Sequence, residues 1–422
     1  MRLSRELRLI YLAALVRSFG IGLFGVLLGV YLFRIGLDST RIGLVLAAGL
    51  AGGTAATAWV SFRGDHIGRR RVLTALSLMS CVGVLALAYR PGFGALLALA
   101  FAGMLNGMGT DRSAAFALEQ AIVPGLVSDQ SRTWALSWYN LLLDGGGALG
   151  ALAGALPFAL HSWAAIDIVL AYRYVFLGCA ALQLLSTMLY LQLSAAVEVA
   201  AIGAERSPGA AAPAISAESK SIVRRLAALF SLDAFGGGFL GDALVSYWFF
   251  RRFGVDEKHL AALFFAVHLL NAASHLGAAW LARRIGLVNT MVFTHLPSSL
   301  FLIAAAFAPG VKFAIILFLL RESLVEMDVP TRQSYVAAVV QPHERTYASG
   351  ITNLMRTLCW AAASSVAGAV MQNFVFSAPL MLGGGLKIAY DLLLYRSFGK
   401  LKAPEEARVQ PMINWVPQPE SQ

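Results

Sequence analysis

Long apolar runs dominate this chain, and short polar segments separate them. Twelve of these runs have roughly the 17–25 residues that a helix needs to cross the hydrocarbon core of a bilayer. They cover approximately residues 9–33, 41–61, 72–89, 94–117, 133–157, 171–193, 226–250, 260–280, 287–307, 311–329, 346–371 and 374–397. The fourth and tenth runs are the least uniform because both contain charged residues. The pattern predicts an all-α membrane protein with twelve transmembrane helices.

The polar gaps divide the runs into two sets of six. Residues 198–221 form the longest gap, and their Ser, Pro, Gly and Ala content is typical of a linker. We expect six-helix bundles at residues 1–197 and 222–402, joined by a cytoplasmic linker at 198–221. Residues 403–422 contain four prolines and predict a disordered cytoplasmic tail.

A dense basic segment, Arg63-Gly-Asp-His-Ile-Gly-Arg-Arg-Arg71, lies between the second and third runs. An arginine at the centre of a membrane helix costs about 2.5–3.5 kcal/mol on insertion scales, so this segment predicts a loop. Gly64 and Gly68 flank Asp65 and permit a tight turn. The excess of arginine assigns the loop to the cytoplasmic side, although any short cytoplasmic loop collects arginine for topology alone.

The order of residues 64–70, Gly-Asp-x-x-Gly-Arg-Arg, resembles the loop between helices two and three of the Major Facilitator Superfamily. The resemblance implies that Asp65 sits at a helix–helix contact. It also implies that Arg69 pairs with an acid on a neighbouring helix, Glu119 or Asp111, and so latches one conformation. The gate implied in this way comprises Gly64, Asp65, Gly68, Arg69, Asp111, Arg112 and Glu119.

An internal repeat supports the division into halves. Residues 132–135 (Arg-Thr-Trp-Ala) and Asn140 recur 213 positions later as residues 345–348 (Arg-Thr-Tyr-Ala) and Asn353. Small residues match by chance in helices rich in Ala and Gly, but the polar matches favour a true repeat. Parallel six-helix repeats of this kind place a solute site near the midplane between the halves.

Composition agrees with a polytopic membrane protein. The chain has 422 residues, of which 58% are hydrophobic and 13% charged, and its mean hydropathy is +0.69. Soluble domains carry about 25% charged residues. Lys and Arg concentrate in the loops that face inside when both termini are cytoplasmic. The net charge of +10 is therefore explained by loops facing anionic lipid and not by a nucleic-acid partner. We expect a multi-pass protein of a bacterial inner membrane.

Ionisable residues recur near the middle of five runs. Each lies about ten residues into its run, hence roughly 15 Å deep. The residues are Arg17, Asp144, Asp233, Arg321 and Arg356. Charges at this depth normally face the bundle interior or a water-filled path. Arg17 and Asp233 occupy equivalent repeat positions, and we expect them to interact across a central cavity. The alternative is a static ion pair that fixes helix packing.

Two further acidic features concern the seventh and tenth runs. Glu322 and Glu326 are four residues apart and share a helical face, so either an arginine neutralises them or one holds a proton. Part of this acidic cluster could instead belong to the inner gate.

Asp242 follows Asp233 by nine residues, about half a helical turn out of phase. In a continuous helix only one of them can face the cavity, which assigns Asp242 to an outer gate.

Two polar stripes complete the candidate pathway. His268 lies with Asn271 on one face of the eighth run, which suits either a proton carrier or a packed, hydrogen-bonded histidine. Asn140 and Asp144 share a face of the fifth run, ahead of a ridge of glycines at 146, 150 and 154. That ridge resembles the fifth helix of antiporters in the superfamily but lacks their Gly-Pro dipeptide. It favours export while leaving the direction open.

Other classes of site have no support in the sequence. Cys81, Cys179 and Cys359 all fall inside apolar runs, and no Cys/His cluster has metal-ligand spacing. The chain contains no G-x-x-x-x-G-K-[ST] motif, so ATP is not expected as the energy source. We predict no metal, no cofactor, no catalytic residue and no enzymatic activity.

These observations predict a secondary active transporter, monomeric and embedded in a lipid bilayer. It would move a small charged or polar solute by alternating access, coupled to protons, with export favoured. The predicted pathway residues are Arg17, Asn140, Asp144, Asp233, His268, Arg321, Glu322, Glu326, Asn353 and Arg356. The alternatives are multidrug-type efflux of apolar cations and a non-transporting sensor or scaffold on the same fold.

Overall fold

The computed structural model describes residues 4–111, 113–127, 132–198, 217–339 and 345–398. The first half contains α1 Arg5–Arg34, α2 Ser39–Ile67, α3 Arg69–Tyr89, α4 Phe93–Ala102, α5 Ala114–Ile122, α6 Arg132–Ala153, α7 Leu156–Ala164 and α8 Ile168–Leu191. The second half contains α9 Ala217–Gly238, α10 Asp242–Phe253, α11 Glu257–Ile285, α12 Leu287–Ala306, α13 Val311–Val325, α14 Asp328–Val339, α15 Arg345–Asn373 and α16 Ala378–Phe398. Over these residues the chain forms no β-strand.

Twelve spans account for these sixteen helices. Four spans are interrupted and consist of the pairs α4–α5, α6–α7, α9–α10 and α13–α14, while the other eight are single helices. Nine helical segments within the described residues are long and apolar enough to cross a membrane. The remaining spans are broken, as in α4–α5, or carry several charges, as in α13 and α16. The predicted twelve-helix all-α fold is confirmed.

The basic segment between α2 and α3 is almost entirely helical, so the expected loop is wrong. α2 continues to Ile67 and α3 begins at Arg69, leaving Gly68 alone between them. Gly68 has a φ of 105°, a conformation that favours glycine, and one such residue is enough to reverse the chain. The carboxylate of Glu198 accepts hydrogen bonds from the backbone N–H groups of Arg69 (2.6 Å) and Arg70 (3.2 Å). Glu198 therefore satisfies N–H groups that α3 leaves without helical partners.

Helix ends define two opposite sides of the bundle. The linker side contains Gly68, Gly286, the end of α8 and the start of α9. The distal side contains the turns at residues 35–38, 90–92 and 254–256. We use these two names below.

The two halves are joined by polar contacts on the distal side. Arg34 forms an ion pair with Glu257, with 2.6 Å between Nη2 and Oε1, and the hydroxyl of Tyr172 donates to the same oxygen at 2.9 Å. The Glu257 side chain is 1% exposed. Nearby, the backbone N–H of Thr40 donates to Oε1 of Gln372 at 3.0 Å. These contacts hold the distal ends of the halves together.

The interruptions of the α4–α5 and α9–α10 spans contact each other. The backbone N–H of Ala243 donates to the carbonyl of Gly107 at 2.9 Å. Within the α4–α5 break, the Asn106 side chain donates to the carbonyl of Thr110 and accepts from the N–H of Met108, both at 2.8 Å. Irregular backbone at membrane depth is tolerated where protein buries it or where it lines a cavity. The expectation of unbroken fourth and seventh helices is therefore wrong.

Close contact between α1 and α6 depends on glycine. A Cβ atom on Gly150 would lie 2.7 Å from the backbone carbonyl carbon of Phe19, and one on Gly22 would lie 2.8 Å from that of Gly147. Neither backbone can yield as a flexible side chain could. The glycine ridge of the fifth span thus brings α6 against α1, as small residues do between membrane helices.

We predict that Gly150→Ala destabilises the protein and that Gly145→Ala does not. The added methyl group at 150 forces α1 and α6 apart, and overpacking of this kind costs about 1–3 kcal/mol. Gly145 lies on the same helix, but a Cβ there meets no atom within 4 Å. Thermal unfolding of the purified variants in detergent measures the difference. Equal unfolding temperatures for the two variants would contradict this account of the ridge.

Candidate functional site

Asp233 is the centre of a cluster of cations from three helices of the second half. It lies on α9 and is 3% exposed. Lys387 Nζ on α16 donates to its Oδ1 at 2.8 Å, and Arg332 Nη1 on α14 approaches its Oδ2 at 3.4 Å. Arg356 Nη2 on α15 lies 3.9 Å from the same Oδ2. Buried charges are tolerated when they are paired in this way.

A hydrogen-bonded chain leads from this cluster to a second buried carboxylate. His295 Nε2 lies 3.2 Å from Lys387 Nζ and 3.7 Å from Asp233 Oδ1. Its Nδ1 lies 3.0 Å from Oδ1 of Asp391, which is 0% exposed. The contacts are all satisfied when Nδ1 of His295 carries the proton and Nε2 accepts from Lys387. Asp391, His295, Lys387 and Asp233 therefore form one continuous polar chain.

Arg332 is shared between two acids. Its Nη1 donates to Oδ2 of Asp328, one helical turn earlier on α14, at 2.5 Å, in addition to the contact with Asp233. The guanidinium also lies over the ring of Phe230, 5.6 Å from its centroid. Asp328 and Asp233 are thereby linked through a single arginine.

These groups line a cavity of about 100 Å³. Most of its lining belongs to the second half, and Met108 and Thr110 of the α4–α5 break also line it. At about 10–15 Å³ per water, a cavity of this volume holds several waters. Its ionisable lining residues are Asp233, Asp242, His268, His295, Arg321, Glu322, Glu326, Asp328, Arg332, Arg356 and Lys387.

The tenth span supplies both an ion pair and an unpaired acid. Arg321 and Glu322 contact each other, an arrangement that agrees with the alternative in which an arginine neutralises Glu322. Glu326 also lines the cavity, and among the described residues its carboxylate forms no hydrogen bond or ion pair, although Arg321 on the same span interacts with it electrostatically. The two glutamates therefore have different surroundings, although they share a helical face.

Asp242 lines the same cavity as Asp233, so the assignment of Asp242 to an outer gate is wrong. Residues 239–241 interrupt the helix between the two acids and change the phase of α10. His268 Nε2 lies 4.0 Å from Oδ2 of Asp242. That nitrogen is buried without a hydrogen-bond partner, as is Oδ1 of Asn271 one turn later on α11. The predicted polar stripe of α11 thus faces the cavity.

Arg17 forms a separate network in the first half. Its Nε lies 2.8 Å from Oδ2 of Asp111, and its Nη2 lies 2.6 Å from Oε2 of Glu119. Arg17 Nη1 donates to the hydroxyl of Tyr190 at 2.7 Å, and Tyr139 donates to Glu119 at 2.8 Å. Arg17 lines a second cavity, of about 60 Å³.

The partners of Arg17 overturn two expectations. Arg17 does not interact with Asp233 across a common cavity, because two acids of its own half neutralise it. Nor do Glu119 and Asp111 pair with Arg69, since both carboxylates bind Arg17. Glu119 is 0% exposed and lies in the core of the first half, away from the surface at Arg69.

The remaining predicted residues either line neither cavity or lie outside the part of the chain that the structure describes. Asn140 and Asn353 are exposed, and Asp144 is half-buried on α6. None of the three lines either cavity. Arg112 and the side chain of Asp65 lie outside the described part of the chain. Roles for these residues stay predictions.

Sequence reasoning missed four members of the Asp233 cluster: His295, Arg332, Lys387 and Asp391. Three of them carried a readable signal. Lys387 and Asp391 are four residues apart in the last span and share a helical face, an unusual pair within a membrane helix. Asp328 and Arg332 have the same spacing. The placement of His295 depends on tertiary packing.

Known proteins resemble this chain over almost its full length. An uncharacterized membrane protein of Saccharomyces cerevisiae is 26% identical over 419 residues, which is 93% of each chain. The crystal structure of a D-xylose-proton symporter matches with a TM-score of 0.71 and 14% identity, covering 95% of this chain and 98% of that one. A nucleoside transporter matches with a TM-score of 0.72 and 14% identity, covering 94% and 100%.

The sequence also matches the model of a protein family. The model of the Major Facilitator Superfamily aligns with residues 10–364, which include the basic segment at Gly68, the Arg17 network and most of the residues around Asp233. The twelve-span architecture in two halves agrees with that match. The chain belongs to the Major Facilitator Superfamily of membrane transporters.

Proposed function

We propose that this chain is a secondary active transporter that couples the movement of a small polar or charged solute to protons. The observation that carries the proposal is the chain of Asp391, His295, Lys387 and Asp233 at the edge of a cavity. The many charges of the lining do not suit an apolar cation of the multidrug type. Groups of this kind in membrane spans mark ion and substrate pathways.

The distal contacts support a state in which the cavity is reached from the linker side. Arg34, Glu257 and Tyr172 tie the halves together on the distal side. We place the linker side in the cytoplasm, with both termini, because the predicted loops there hold most of the Lys and Arg. Alternating access then requires that the distal contacts break while new ones form on the linker side.

Competition for the cations gives a mechanism of coupling. While Asp233 is ionised, it holds Lys387, Arg332 and Arg356. When Asp233 gains a proton, those cations become available to an anionic group of the solute. Proton and solute then bind together and travel in one direction. This arrangement favours symport over the export that the glycine ridge favours. His295, a residue type that changes charge near neutral pH, offers a route for the proton.

We predict that Asp233→Asn abolishes proton-driven accumulation and retains solute exchange. Asparagine imitates the protonated acid, so the solute still binds, but no proton is exchanged. The assay uses liposomes loaded with a pH dye and a solute panel of D-xylose, uridine, amino acids and small organic acids. Solutes that change the internal pH with the native chain are then tested for accumulation and counterflow.

Asp38→Asn is the matched control, because Asp38 lies at a distal turn and its side chain is 43% exposed. It should retain both activities. If the Asp233→Asn variant still accumulates solute in response to an imposed pH gradient, Asp233 has no role in proton coupling. A native chain that moves no solute of the panel together with protons would overturn proton coupling itself.

We predict that Asp391→Asn lowers proton-driven uptake more than it lowers counterflow of the solute. The groups facing His295 are Asp391, Lys387, Asp233 and the ring of Tyr390. The Asp391 carboxylate can only accept from Nδ1 of His295, whereas an asparagine can present its NH₂ group instead and interrupt the polar chain to Asp233. Uptake under an imposed pH gradient and counterflow are measured in the same liposomes. Equal losses in both assays would reduce Asp391 to a packing role.

A further inference from the structure

We infer that the cavity selects a small zwitterion, with its anionic group toward Lys387 and an ammonium that carries N–H toward Asp242 and Glu326. This inference rests on the proposed transport function and names its substrate class. It follows from an uneven distribution of charge around the cavity, from unsatisfied hydrogen-bonding groups on one wall, and from the cavity size.

One wall has more hydrogen-bond donors than its carboxylates use. Lys387 has three N–H donors, of which one binds Asp233 and a second points to His295. Arg332 has five donors, and its bonds to Asp233 and Asp328 both come from Nη1. Arg356 adds a third cation to this wall. A carboxylate or phosphate can therefore bind at these donors, and protonation of Asp233 makes more of them available to it.

The other wall has more acids than cations. Three acids, Asp242, Glu322 and Glu326, share it with one cation, Arg321, which bonds Glu322. Neither Asp242 nor Glu326 has a Lys or Arg within ion-pair distance among the described residues. His268 Nε2 lies 4.0 Å from Oδ2 of Asp242. Two carboxylates in a low-dielectric cavity need a counter-charge. A ligand cation, with or without a proton on one of the acids, supplies it.

Unsatisfied polar atoms on this wall specify the kind of cation. Oδ1 of Asn271 is a buried acceptor with no donor, and it lines the cavity. Nε2 of His268 is buried in the same way, on a side chain that is 10% exposed. An ammonium with N–H groups can donate to Asn271 and to the acids at once. A quaternary ammonium has no N–H and would leave Asn271 unsatisfied.

Size and spacing limit the ligand. Residues 239–241 interrupt the helix between Asp233 and Asp242, and both acids line one cavity, so the volume of that cavity limits the ligand. A cavity of about 100 Å³ suits a molecule on the order of ten non-hydrogen atoms. The structure thus fits ω-amino acids or short peptides better than sugars, which lack charge, or anions without a cationic group.

The test compares probes that differ only in charge. The zwitterion 5-aminopentanoate is measured beside pentanoate, which keeps the anion, and pentylamine, which keeps the cation. Shorter and longer ω-amino acids, glycylglycine and a trimethylammonium analogue complete the set. Binding to the purified full chain is read from thermal unfolding and from tryptophan fluorescence, since Trp360 lines the cavity. We expect the best zwitterion to bind at least tenfold more tightly than either singly charged analogue and than its trimethylammonium form.

Charge variants provide a test that does not depend on lost binding. The double change Asp242→Asn and Glu326→Gln should reverse the preference, so that pentanoate binds better than 5-aminopentanoate. Lys387→Gln should shift preference toward pentylamine. Asp38→Asn and Lys258→Gln, at exposed positions on the distal side, serve as controls and should keep the native order. Unfolding curves show which variants are folded.

The outcomes separate this inference from the transport proposal. If no zwitterion of the set binds more tightly than its singly charged analogues, the zwitterion class is wrong, even when liposomes show proton-coupled movement of another solute. If the zwitterion binds with the expected preference but no gradient drives its movement, the site stands and the transport proposal fails. A preference unchanged by the double variant would also overturn the assigned orientation.

Discussion

A charge buried at the depth of the membrane core is stable only when an opposite charge or several hydrogen bonds accompany it. In this protein that constraint shapes both halves differently. The first half satisfies it completely around Arg17, where two acids and two tyrosines surround one guanidinium. In the second half, three cations share one carboxylate, that of Asp233, as their counter-charge. A shared partner can be given up in exchange for a ligand, whereas a complete network resists change.

The sequence was sufficient for the architecture. Twelve apolar runs, a polar gap and the segment around Gly68 predicted a twelve-helix transporter fold, and the family match confirms the family and the absence of enzymatic activity. Asp233, Arg321 and Arg356 line one cavity, which agrees with the similar depths that the rise per residue predicts for them. The bacterial inner membrane and the cytoplasmic position of the termini stay predictions, and the yeast relative shows that such chains are not confined to bacteria.

Partners within the site could not be predicted, for two physical reasons. Electrostatic pairing depends on which helices are neighbours, and the equivalent positions of Arg17 and Asp233 suggested a contact that local acids prevent. Helix phase was the second reason. The interruption at residues 239–241 follows three glycines, at 236–238, which weaken a helix and are a local signal for a break. The phase in which α10 resumes depends on its contact with Gly107 in another span, and that contact cannot be read from the sequence. It turns Asp242 toward the cavity, where a continuous helix would have turned it away.

The triangle of Arg34, Glu257 and Tyr172 has a consequence for how the carrier responds to its solute. Removing one partner from a buried pair like Glu257 and Arg34 is strongly unfavourable, so the empty carrier spends little time open on the distal side. When the ligand arrives from the distal side, only a small fraction of the protein molecules is in the conformation that can bind it. The apparent dissociation constant of the ligand rises in inverse proportion to that fraction. In the proposed cycle, the same molecule arriving from the linker side meets no such reduction. The two faces of the proposed carrier would thus differ in sensitivity, even if the binding pocket itself is unchanged.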